Sequence, residues 1–176
     1  MAYLKIYQWE KSAHPWAFEP MKHAHTAVLL QLLNPLVAHF KVSRPGVGFA
    51  DLGRRADGEY VSESVACVRQ LLNEARAIRR SGGLAKYARR LEDRAASFHN
   101  GRRMNNNDVI LFNTDAPPTI GVLLHEFAHH VNWHKYGRSG HRSPFPRVLR
   151  EVYTTYVRIW EPDRAIPDDH PTPADG

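Results

Sequence analysis

Thiols are almost absent from this 176-residue chain: Cys67 is its only cysteine. One cysteine excludes an intrachain disulfide and any cluster of thiolates, so a metal site would have to be built from imidazole and carboxylate. Long apolar runs are also missing. The longest apolar stretch, residues 27–40, is broken by Gln31, Asn34, Pro35 and His39 and falls short of the ~20 apolar residues that cross a bilayer. The opening MAYLKIYQWEKSAH lacks the basic start, apolar core and small-residue cleavage site of a secretory signal. A cytoplasmic location without a membrane partner is therefore expected. No internal repeat is visible. The length suggests one domain over residues 1–160, and the Pro- and Asp-rich residues 161–176 read as a disordered tail.

Apolar residues make up 43% of the chain, enough for a modest core. The formal net charge is +6, and much of the excess lies within residues 76–103. A basic segment of this kind allows weak, non-specific binding to nucleic acid or another polyanion. No aromatic interleaving or nucleic-acid motif accompanies it in the sequence, so solvated helical faces are the expectation there.

Local signals divide the chain as follows. Residues 1–20 read as an irregular or short-strand opening whose Trp9, Trp16 and Phe18 pack on a core. Residues 22–40 are helical, with Leu29, Leu32, Leu33 and Leu36 at helical spacing and Pro35 kinking or splitting the segment. His23 and His25 are read as surface residues. Residues 41–52 and 59–61 have strand character. Residues 62–80 form a helix capped by Ser62, and 84–98 a second, very basic helix. Residues 100–107 are a loop. Residues 108–113, DVILFN, are the clearest strand, a short apolar run between turn signals. Pro117 and Pro118 suit the first turn of the next helix, which stops near Gly137. Ser143-Pro144 opens the last helix, with an apolar stripe of Phe145, Leu149, Val152, Tyr156 and Ile159.

The helix ending near Gly137 contains His125-Glu126-Phe127-Ala128-His129. His125 and His129 are one helical turn apart and share a face, so two neutral imidazoles can grip one zinc ion. Glu126 lies ~100° around the helix. That offset places a carboxylate beside the metal as a base for the attacking water. A third ligand is needed for a catalytic site. Lys135 and Asn132 stand where the HExxHxxGxxH spacing requires histidine and glycine, which leaves two candidates, His141 in the following loop and Glu151 on the last helix. His130 and His134 are also one turn apart, on another face, and are read as solvent-facing or supporting residues, with a second metal site as the minor alternative. Tyr136, Tyr153 and Tyr156 are candidates to donate to an oxyanion, with packing as the simpler role.

The segment HEFAHHVNWHKYGRSGHRSPF resembles the active-site region of SprT-like and related minimal zinc metallopeptidases. It is especially similar to small metallohydrolases of actinobacteria and their phages. The resemblance spans roughly residues 108–156, and Arg142 replaces the glycine that the family motif carries after its third histidine. It implies an α+β, zincin-like fold: a small mixed sheet packed against the HExxH helix, with additional helices. It also implies Zn2+ held by His125, His129 and His141, and Glu126 as the base. Hydrolysis of amide bonds in a peptide or protein follows, with an extended substrate pairing along the edge of residues 108–113. Two other readings stay open. One is a nucleic-acid-associated protein with a structural or recruiting zinc. The other is a repressor-cleaving regulatory peptidase with Glu151 as the third ligand.

Overall fold

A computed structural model describes residues 2–53, 56–99, 108–138 and 140–164. The loop expected over 100–107 and most of the expected tail lie outside the described residues. The elements run α1 (Ala2–Ala13), a short 3-10 turn (Pro15–Phe18), α2 (Thr26–Phe40), β1 (Gly46–Ala50), β2 (Gly58–Val61), α3 (Glu63–Arg80), α4 (Ala85–His99), β3 (Val109–Asn113), α5 (Ile120–Tyr136) and α6 (Phe145–Trp160). The described residues are thus a mixed α+β chain of six α-helices and a small mixed sheet. No helix among them is long and apolar enough to cross a membrane. The chain gathers into two compact units, Met1–Tyr60 with Val109–Gly176, and Val61–Asp108.

The first unit is centred on α5. Thr119 caps the helix by accepting from the Val122 N–H at 3.2 Å. Gly137, at φ 64°, ends it and returns its N–H to the Trp133 carbonyl. A left-handed residue at that position favours glycine. Pro117 and Pro118 precede the helix instead of occupying its first turn, because the Thr119 cap sets the start two residues later than the prolines suggest. Every residue from 121 to 133 except Glu126 is buried. A helix covered on nearly all sides needs packing partners on every face. The α6 residues Phe145, Val148, Leu149, Val152, Tyr153 and Tyr156 belong to the core it joins, as do Leu29, Leu33, Leu36 and Phe40 of α2. Ile159, placed on the α6 stripe by its spacing, is instead 40% exposed, because the core ends before the last turn.

Three expectations from the sequence are corrected here. The N-terminal stretch is helical, not irregular or extended. Its inward face holds Ile6 and Glu10, one turn apart and both buried, and an acid on that face disguises the apolar stripe. Helix α2 is not split: it runs as one helix from Thr26 to Phe40 with Pro35 inside it. An interior proline costs ~3 kcal/mol, whereas each of the four fully buried side chains on that helix contributes roughly 1.5–3 kcal/mol, so packing wins. Finally, β3 is the central strand of the order β1-β3-β2 and pairs in parallel with β1. With strands on both sides it has no free edge for a substrate.

Strand β2 is held against α5 by two small-scale devices. Buried Asn113, at the end of β3, donates its side-chain amide to the carbonyls of Gly53 (2.7 Å) and Ala56 (2.8 Å), which fixes the turn that leads into β2. Gly58 then allows the close approach: a Cβ there would lie 2.4 Å from Val122 Cγ1 and 3.2 Å from the Leu111 carbonyl oxygen.

In the second unit, α3 and α4 pack on each other around Val68, Leu71, Ala75, Ala88 and Ala95. Ser62 caps α3 by accepting from the Val65 N–H, and Gly82, at φ 70°, makes the turn between the helices. The Arg79–Glu92 ion pair, at 2.8 Å, ties one helix to the other.

Candidate metal centre

Helix α5 presents His125 and His129 on one face, and the loop after Gly137 brings His141 to them. The Nε2 atom of His141 lies 3.1 Å from that of His125 and 3.0 Å from that of His129. The loop owes its course to Asn132, buried on α5, whose side-chain amide donates to the Arg138 carbonyl at 2.6 Å. Arg138 in turn donates to the Ser143 carbonyl at 3.0 Å. The position at which a metzincin would carry glycine thus clamps the loop. Phe145, fully buried at the start of α6, touches all three imidazoles, with ring centroids 4.3–5.4 Å away. It forms an apolar wall that limits how the rings turn.

Behind His125 stands a residue that sequence reasoning missed. Glu10 of α1 is fully buried, and its Oε2 accepts from His125 Nδ1 at 2.8 Å. Its other oxygen accepts from the hydroxyl of Tyr153 at 3.3 Å. With a proton committed on Nδ1, His125 turns a lone pair on Nε2 toward the other two histidines. Tyr153 therefore supports the site from behind and does not face a substrate. Tyr156 stacks on Trp16, and the Tyr136 hydroxyl accepts from Arg147.

The protonation directions agree with a ligand set. Burial holds His129 well below its ordinary value, with the neighbouring imidazoles adding to the effect. Burial and then the charge of His125 push His141 down to about 4. At His125 burial again works downward, but the hydrogen bond and charge of Glu10 outweigh it and the value rises. Two of the three rings are thus neutral, the form that binds metal.

Glu126 does not join the three histidines. Its Oε2 accepts from the backbone N–H of Tyr60 on β2 at 2.8 Å. Burial raises its pKa, against the lowering effects of His125 and of the Tyr60 N–H. Its charge and that of its α5 neighbour His125 act on each other.

Three imidazole nitrogens this close are badly matched as hydrogen-bond partners. One proton on His141 Nε2 can serve one of its two nitrogen neighbours well, not both, and His129 Nδ1 is buried without a hydrogen-bond partner. A cation resolves the conflict. The spacings approach the ~3.3 Å edge of a tetrahedron with Zn–N bonds of ~2.0–2.1 Å. The residues present therefore fit a single zinc-sized ion bound by nitrogen.

The remaining candidates lie elsewhere. Glu151 is exposed on α6 and outside this group of histidines. His23 and His25 are exposed. His130 is fully buried and not solvent-facing; its Nε2 donates to the Ser43 carbonyl at 2.7 Å, which anchors the segment before β1. His134 lies beside it, 3.4 Å from the Ser43 hydroxyl. Comparisons of the chain with protein families, with curated proteins and with solved structures return no match.

Proposed function

We propose that this protein is a zinc-dependent hydrolase with a zincin-like site, acting as a peptidase on amide bonds. The observation that carries the reading is the convergence of His125 and His129 on His141, whose Nε2 lies 3.1 and 3.0 Å from theirs, next to a carboxylate pinned by a backbone N–H. His125, His129 and His141 would hold the ion, and a bound zinc supplies Lewis acidity for the scissile carbonyl and for water. Glu126 takes a proton from the attacking water as its oxygen bonds to the carbonyl carbon. It then hands that proton to the departing amide nitrogen as the C–N bond breaks. Burial favours this exchange by raising the carboxylate toward the range in which it both accepts and returns a proton. Because β3 is central, an extended substrate would pair instead with β2, whose Tyr60 backbone already meets Glu126.

A structural zinc would call for four protein ligands, and three histidines form this group among the described residues. Exposed Glu151 gives no support to a site completed by that acid. The test is elemental analysis before and after brief zinc exposure, followed by hydrolysis of a mixed peptide library. One zinc per chain, and cleavage that stops with a chelator and returns with zinc, is expected. Protein that takes up no metal in either preparation would overturn the reading.

A further inference from the structure

We propose that Asn132 is a positioning residue for two of the three metal ligands at once: its amide nitrogen holds the His141 loop, and its amide oxygen orients His129 through one bridging water. His125, His129 and Asn132 lie within ~60° of one another around α5, so Asn132 stands on the metal-facing side of the helix. It follows His129 by three residues, a spacing at which Cβ atoms are ~5–6 Å apart and the later side chain leans back over the earlier one. Asn132 is fully buried. Its Nδ2 donates to the Arg138 carbonyl at 2.6 Å. A carbonyl only accepts, so that bond fixes which end of the amide is nitrogen and which is oxygen. The oxygen is the end left over, and it is buried with no hydrogen-bond partner among the described residues.

His129 has the matching deficiency. Its Nε2 lies 3.0 Å from His141 Nε2 and is the atom turned toward the other histidines. A neutral ring that ligates through Nε2 carries its proton on Nδ1. His129 Nδ1 is buried and likewise has no hydrogen-bond partner among the described residues, whereas His125 has Glu10 in the same role at 2.8 Å. A donor on His129 and an acceptor on Asn132 are thus both orphaned, three residues apart on one face of a packed helix. A water between them accepts from the Nδ1–H and donates to Oδ1, which satisfies both atoms together. Holding the proton on Nδ1 leaves the Nε2 lone pair for the ion. The same amide that selects this tautomer also sets the course of the loop that bears His141. This role rests on the metal-centre reading above and concerns how the ligands are ordered, not which bond is cleaved.

The experiment reads the tautomer and the zinc affinity separately. Long-range proton–nitrogen NMR of the metal-free wild type, near pH ~8 where ordinary imidazoles are neutral, should find the His129 proton on Nδ1. Asn132→Ala should move it partly or wholly to Nε2. Asn132→Asp keeps an acceptor and loses the amide donor, so it should leave the proton on Nδ1. Zinc competition is then run in the His141→Ala background, where the loop has no ligand to present. There Asn132→Ala should weaken binding by at least about fivefold, the lower range for an orphaned buried donor. In the same background Asn132→Asp should bind zinc at least as tightly as His141→Ala alone. A His129 proton on Nε2 in the metal-free wild type would overturn the proposal. So would an Asn132→Ala effect within about twofold in the His141→Ala background, because Asn132 would then act on the loop alone. If the wild type took up no zinc, the metal-centre reading would fail, while the tautomer would still decide whether Asn132 orients His129. Should Asn132→Ala not fold, the wild type and Asn132→Asp decide in the same way.

Discussion

Replacing Glu10 with alanine tests whether α1 helps to build the metal centre. In the wild type the Glu10 carboxylate, wholly removed from water, accepts from His125 at 2.8 Å and from Tyr153 at 3.3 Å. Without it the His125 Nδ1–H is buried with no acceptor, at a cost of roughly 1–3 kcal/mol. The ring can escape that cost by shifting its proton to Nε2 or by rotating, and either change removes a ligand lone pair. Taken out of metal binding, the same energy is about 5- to 150-fold in affinity, which brackets the ~10–100-fold typical of such supporting carboxylates. Glu10→Gln keeps an acceptor and loses the charge, so it should fall near the lower end. Tyr153→Phe leaves the His125 contact in place and should stay within about threefold. The assay is competition for zinc against a chromophoric chelator, with circular dichroism as the check on folding. Acidity adds a second signature. Glu10 raises the pKa of His125, so in the wild type a proton competes with zinc increasingly as pH falls. Without Glu10, burial acts on His125 against only the smaller effect of Glu126 and pushes it down, so the deficit of the variant should be largest near pH ~8 and narrow toward pH ~6. Zinc affinity within twofold of wild type for Glu10→Ala near pH ~8 would refute the reasoning.

Four further outcomes are expected. Glu126→Gln should retain zinc and lose about 10²–10⁴-fold in hydrolysis, since it removes the proton acceptor and no ligand; full activity would exclude Glu126 as the base. His141→Ala should weaken zinc binding sharply while Glu151→Ala leaves it unchanged, and the reverse pattern in a zinc titration would reassign the third ligand. Gly58→Ala should destabilise the fold by about 1–3 kcal/mol in chemical denaturation, because its Cβ meets Val122 and strand backbone. Any activity lost would follow from moving Tyr60 off Glu126. The metal-free protein should lose stability as pH falls from about 6.5 toward about 4. His141, lowered in the fold to about 4, stays neutral there while the unfolded chain takes up the proton, and His129 acts in the same direction; Glu126, raised by burial, works against them, and a denaturation midpoint that rose in the Glu126→Gln variant as pH fell across that window would contradict the burial of these rings.

The candidate chemistry was legible in the sequence because it is local. Helical geometry alone puts His125 and His129 on one face with Glu126 beside them, and Gly137 marks the end of that helix, whereas its start was set too early by the prolines because the Thr119 cap went unread. The apolar run at 109–113 and the leucines of α2 were similarly visible, since their spacing reflects the period of their own segment. Other features required the tertiary structure. Whether His141 or Glu151 approaches the pair depends on the Asn132–Arg138 clamp, an interaction that no spacing encodes. Glu10 lies 115 residues from His125 and reads as an ordinary surface acid until α1 packs it into the core. The central place of β3, and so its lack of a free edge, follows from strand order, which the hydrophobic pattern of a single strand does not record. Period and capping are properties of a segment by itself, whereas an oriented imidazole, a pinned carboxylate and a free strand edge arise only when distant segments share one packed interior.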